Sequence, residues 1–170
     1  MDRLDAKILN AVQKDNMMTL EILGDTVGLS ATACQRRLRQ LTKDGVIAAN
    51  VSVVAPEKVG RGITIIVEIT LERRNTGYTD IFKKEMMKNN DVMQCYYVAG
   101  DSDFVVILTA PDLEYYERFT RETFYANANV KKFKSIVVLG RVKVGLKVPI
   151  EFRDECGLIA KDRFPVSPVT

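Results

Sequence analysis

The chain has 170 residues, 46% of them apolar and 28% charged, enough for one medium domain or two small ones with a core that needs no disulfides. Its net charge of +3 permits a nucleic-acid partner without requiring one, and Cys34, Cys95 and Cys156 stand isolated, which argues against a disulfide framework or a paired-cysteine metal or redox site. The absence of histidine excludes zinc fingers and histidine-activated nucleophiles; no cofactor or metal is expected. No apolar run approaches the ~20 residues of a membrane helix, and the acidic N-terminus lacks a signal-peptide layout, so no membrane partner and a cytoplasmic, nucleoid-associated location are expected.

The first element is an amphipathic helix carrying Leu4, Ile8, Ala11 and Val12. A second apolar helix signal from Leu23 meets a Gly28-Leu29-Ser30 turn, in which Gly28 ends one helix and Ser30 caps the next. In the helix that follows, Cys34, Leu38 and Leu41 recur at i, i+4 and i+7, while Thr32, Arg36, Arg39 and Lys43 gather on the opposite side. No acidic residue lies between Asp25 and Asp44, whereas four basic ones do, so a polyanion can lie along that side without repulsion. A solvated basic face on an ordinary surface helix is the plainer reading; the upstream helix and the tight turn favour a helix-turn-helix, which needs all three helices to bury its apolar faces. In that reading Thr32, Gln35, Arg36 and Arg39 reach base edges or phosphates, and Arg37 and Lys43 hold the backbone. Asp44-Gly45-Val46-Ile47 then predicts a helix end, and Val51 to Val54 a short strand, making a winged variant over residues 1–55.

Pro, Gly and charged residues from Pro56 to Gly62 mark a linker. From Ile63 to Leu71 every odd position is apolar, the period of a strand with one covered face. Tyr78, Ile81, Phe82 and Met86 follow at helical spacing up to Asn89-Asn90. Two strand-like runs, Val92 to Ala99 and Phe104 to Ala110, flank the turn residues Gly100 to Asp103 and read as a hairpin. Pro111-Asp112 opens a helix with Leu113, Tyr116 and Phe119 inward, and alternation from Ser135 to Val148 predicts the last strand. The fold class is therefore α+β, a winged helix-turn-helix followed by a ferredoxin-like βαββαβ domain over residues 63–150. Val137 and Leu139 make the last strand apolar on both sides, from which a homodimer through the sheet is expected, unless the C-terminal segment covers them. That segment, residues 151–170, combines a helical turn (Phe152, Cys156, Ile159) with Pro165 and Pro168.

Over about residues 2–150 the chain resembles the leucine-responsive/asparagine (Lrp/AsnC, feast/famine) regulators. The resemblance rests on Leu4-Asp5 with Ile8-Leu9; on Val27-Gly28-Leu29-Ser30 with Cys34, Arg36 and Arg37; and on Gly45-Val46-Ile47. Glu68 to Leu71, Val98 to Asp101 with Asp103-Phe104, and Val137-Val138 carry it through the second domain. It implies a transcription regulator that binds double-stranded DNA as a dimer or a higher assembly, an octamer or other ring, and responds to an amino acid or related metabolite. It places the effector between subunits at Gly100, Asp101 and Asp103, with Tyr125, Ile136, Val137 and Val138 as neighbours. Chemistry suits the assignment, because an α-amino acid offers an ammonium for a carboxylate and a carboxylate for the N–H groups of a glycine turn; a plain hairpin turn would hold the same residues.

The chain departs from the family pattern at Glu21, Gly24 and Ser102, and in its extension beyond Ile150. A glycine inside a helix costs roughly 1 kcal/mol against alanine, so the second helix is expected to be marginal or closely packed at Gly24. Two other functions would use the same residues: an architectural DNA-binding protein without an effector, and a small enzyme pairing Asp101 with Asp103 near Tyr96 or Tyr97.

Overall fold

The computed structural model describes residues 1–72 and 76–151, so the expected helical turn at Phe152, Cys156 and Ile159 lies outside the described residues. The described residues divide into two compact units, one of Met1–Ser52 with residues 144–151, the other of Val53–Lys143. Among the described residues no helix is long and apolar enough to cross a membrane.

The first unit holds three helices: α1 (Arg3–Val12), α2 (Leu20–Val27) and α3 (Ala31–Lys43). Each starts where a side chain satisfies an orphan N–H: Asp2 and Asp5 cap α1 reciprocally, the Thr19 hydroxyl accepts from Ile22 N and the Ser30 hydroxyl from Ala33 N. α2 ends at Gly28 in the left-handed region (φ 77°), whose N–H, like that of Leu29, returns to the Gly24 carbonyl. Ile8, Leu9, Ala11, Leu23, Val27, Cys34 and Leu41 are buried together as this unit's core.

The expected wing does not form. Residues 44–55 hold no strand, and Val51, Val53 and Val54 are exposed. Alternation alone cannot make a strand, because its N–H and C=O groups need a neighbouring ladder. The chain from Val144 instead returns to α1. Gln13 Oε1 accepts from Val148 N at 2.7 Å, Gln13 Nε2 donates to the Val148 carbonyl at 3.1 Å and Asn10 Nδ2 donates to the Ile150 carbonyl at 3.0 Å. In packing, residues 144–151 group with the helices.

The second unit is a four-stranded antiparallel sheet of β1 (Ile63–Leu71), β2 (Val92–Tyr97), β3 (Phe104–Ala110) and β4 (Val130–Val137), in the order β2-β3-β1-β4. α4 (Thr76–Lys88) and α5 (Leu113–Thr120) join them into the βαββαβ unit. Odd residues of β1 and even residues of β3 are buried with Phe82, Met86, Tyr116, Phe119 and Phe124. A π-helical turn, Arg121–Tyr125, follows α5. Its i→i+5 hydrogen bond runs from Ala126 N to the Arg121 carbonyl, and Phe124 within it packs on Phe119, their rings edge to face at 5.4 Å. Leu113, expected inward, is exposed, as is Ile81, the residue at helical spacing beside Phe82. At the start of the unit, Arg61 donates from Nη2 to Asp91 Oδ1 at 2.5 Å and to the Thr109 carbonyl, while the Tyr115 hydroxyl donates to the same carboxylate.

The last strand lies earlier than expected: Val130–Val137 rather than Ser135–Val148. β1 fixes this, since its ladder starts with Leu71 opposite Val130 and runs to Ile65 opposite Val137. Val138 N still donates to the Thr64 carbonyl, after which β1 has little left to offer. Leu139, Val142, Val144, Leu146 and Val148 are left exposed.

Candidate nucleic-acid interface and ligand turn

On α3 the burial of Cys34 and Leu41 turns the opposite side outward. Thr32, Gln35, Arg36, Arg39 and Lys43 are exposed there, and among the described residues Arg36, Arg39 and Lys43 enter no ion pair. Arg37 differs. Its Nη1 lies 2.7 Å from Asp2 Oδ2 and 2.7 Å from Asp5 Oδ1, tying α3 to the capped start of α1. The hydrogen bond to Asp5, then that to Asp2, holds the guanidinium pKa above its ordinary value. The Asp5 N–H and then Arg37 hold the Asp2 carboxyl below its own. The Asp2-x-x-Asp5 spacing was a readable capping signal, but its partner lies more than thirty residues away, and no local pattern announces it.

Burial pushes the Cys34 thiol up, as befits an inert core residue. Gly24 sits where α2 meets the turn: a Cβ there would lie 2.5 Å from the Leu29 carbonyl oxygen. The second helix is thus closely packed at this point, one of the two expected alternatives.

In the second unit the Gly100 to Asp103 turn links β2 to β3. Gly100 has φ 151°, and both it and Asp101 are exposed. The N–H groups of Gly100, Asp101 and Ser102 enter no backbone hydrogen bond among the described residues. Asp103 is built into the fold instead. It is 7% exposed, its Oδ2 accepts from Leu71 N at 2.8 Å and its own N–H donates to the Ile69 carbonyl at 2.8 Å. The local sequence gave no sign of this, since both bonds cross to β1.

The remaining expected neighbours do not meet the turn within one chain. Ile136 and Val137 pair with Ile66 and Ile65, on the β4 side of β1, whereas the turn lies on the β3 side. Two strand spacings, about 10 Å, already separate them. Val138 follows at the Thr64 end. Tyr125 is exposed and packs edge-on against Phe133, which pairs with Ile69. The face of the sheet away from the core carries Ile66, Val105 and Ile107, half-buried, and Ile136, exposed.

Comparison with known proteins places both units. Residues 1–42 match the AsnC-type helix-turn-helix domain and residues 64–148 the Lrp/AsnC ligand binding domain. The uncharacterized HTH-type transcriptional regulator y4tD of Sinorhizobium fredii is 53% identical over 151 residues, 89% of each chain. The leucine-responsive regulatory protein of Escherichia coli is 31% identical over 153 residues, 90% of this chain and 93% of that one. The crystal structure of a Neisseria meningitidis transcriptional regulator in complex with L-Met superposes with a TM-score of 0.83 at 26% identity, covering 88% of this chain and 96% of the other.

Proposed function

The chain belongs to the Lrp/AsnC family of helix-turn-helix transcriptional regulators, and from that premise we propose that it binds specific DNA sites through α3 and adjusts that binding to an amino acid or a related metabolite held at the Gly100 turn. One observation carries the DNA half: among the described residues Arg36, Arg39 and Lys43 project from α3 without carboxylate partners, whereas neighbouring Arg37 is consumed by Asp2 and Asp5. Arg36 and Arg39, with Thr32 and Gln35 near the helix start, contact base edges or phosphates in the major groove, and Lys43 holds the backbone. Arg37 we assign to the clamp between helices. On this reading the protein acts in the cytoplasm on nucleoid DNA.

For the ligand, Asp101 receives the ammonium, and the free N–H groups of Gly100 to Ser102 receive the carboxylate. Asp103 shapes the turn through Leu71. Tyr125, Ile136, Val137 and Val138 join the site only from a second copy. A homodimer formed through the outer face of the sheet covers Ile66, Val105, Ile107 and Ile136, and further association into a ring covers the exposed run from Leu139 to Val148. The ligand then acts by its different affinity for two such assemblies.

The test replaces Arg36 and Arg39 by Ala and follows binding to a selected DNA site. Unchanged affinity and salt slope sink the α3 assignment. In parallel, the twenty amino acids are screened by thermal shift, since a ligand of the folded state raises the melting temperature. Binding that tolerates any sequence and no stabilisation by any compound would favour the architectural reading.

A further inference from the structure

From Thr123 to Ile150 the chain carries six lysines and arginines and no acidic residue; without those six charges the net +3 would be −3. Three of them, Lys131, Lys132 and Lys134, are exposed on β4, an edge strand of the sheet. Lys132 pairs with Thr70 and Lys134 with Glu68, so both stand on the outer face at the Thr70 end of β1, past the apolar patch around Ile66 and Ile136. Glu68 Oε2 lies 3.9 Å from Lys134 Nζ, a loose contact between exposed groups. Lys131 and Lys132 have no carboxylate in ion-pairing reach among the described residues.

Lysines on an edge strand also discourage edge-to-edge aggregation. That role does not account for this set, because β2, the other edge, reads Val-Met-Gln-Cys-Tyr-Tyr and carries no charge at all.

We propose that the β4 edge is a second contact for the DNA backbone, on which phosphates flanking the α3 site rest against Lys131, Lys132 and Lys134. The proposal rests on the reading that α3 binds DNA. A lysine ammonium serves as a point charge for phosphate and needs no exact geometry. The three lysines span about 10 Å of strand, and about 10 Å of duplex axis carries about three phosphates on each DNA strand. Duplex already held by α3 brings its flanks to the effector unit at high local concentration.

The full-length protein and its K131Q/K132Q/K134Q variant are titrated over a range of salt with mixed-sequence duplexes of about 20 and 80 base pairs, each phosphate contact adding about 0.9 to the slope of log K against log salt. On the long duplex the variant's slope is expected to fall by about two to three, and a Lys→Arg triple variant keeps the original slope. Equal slopes for wild type and the Gln variant on the long duplex overturn the proposal, and self-association of that variant in sedimentation would then assign the lysines to edge protection. The short duplex tests the α3 reading separately, since R36A/R39A must lose affinity there whatever the lysines do.

Discussion

A Cβ placed on Gly24 would stand 2.5 Å from the carbonyl oxygen of Leu29. The contact is with backbone, so no rotamer change relieves it, and the turn between α2 and α3 closes only over a residue without a side chain. An Ala in an ordinary helix interior stabilises by roughly 1 kcal/mol over Gly. Here the sign reverses. Gly24→Ala is expected to destabilise the protein by about 1–3 kcal/mol, as overpacking does, read from the denaturant midpoint; a raised midpoint refutes the close packing.

Two arginines one residue apart should behave in opposite ways. Arg37→Ala removes two ion pairs to α1 and should lower stability by about 1 kcal/mol, the upper range for partly exposed pairs, while changing the salt slope of DNA binding little. Arg36→Ala should leave unfolding within about 0.5 kcal/mol, as surface substitutions do, and weaken binding. Equal effects of the two on both measurements would remove the division of labour.

The Asp2 carboxyl is held below its ordinary value of 3.8 by the Asp5 N–H and by Arg37. A carboxylate with a depressed folded pKa contributes stability above its unfolded pKa and loses it as pH falls through the folded one. Asp2→Asn keeps a capping side chain without the charge. Wild type should therefore melt higher than the variant at pH 5 to 7, with the gap closing as pH falls below 3.8. A gap that persists undiminished in acid assigns the difference to something other than charge.

Asp101 and Asp103 share a turn, one exposed and the other buried and bonded to Leu71 N. Asp103→Ala leaves the buried Leu71 N–H without an acceptor and should cost about 1–3 kcal/mol, seen in thermal unfolding without any ligand. Asp101→Ala should unfold like wild type and lose any thermal shift that an amino acid produces. The assignment fails if Asp101→Ala retains the full shift.

The sequence by itself determined what depends on neighbours along the chain. Capping chemistry and the glycine turn placed α2 and α3, their 3.6-residue period set Cys34 and Leu41 inside and Arg36 and Arg39 outside, and strict alternation bounded β1 at Ile63–Leu71. Tertiary structure decided whatever needed a partner from far away. Residues 130–137 rather than 135–148 became β4 because β1 supplies a ladder only that far, while the lysines there hid the strand's apolar period. Val51 to Val54 stayed out of any sheet for want of a neighbour. Arg37 left the basic face because Asp2 and Asp5 came within 2.7 Å of it, and Asp103 was drawn into the fold by an N–H on β1. Periodicity records which side of an element avoids water; it carries no information about which distant donor or strand will meet that side.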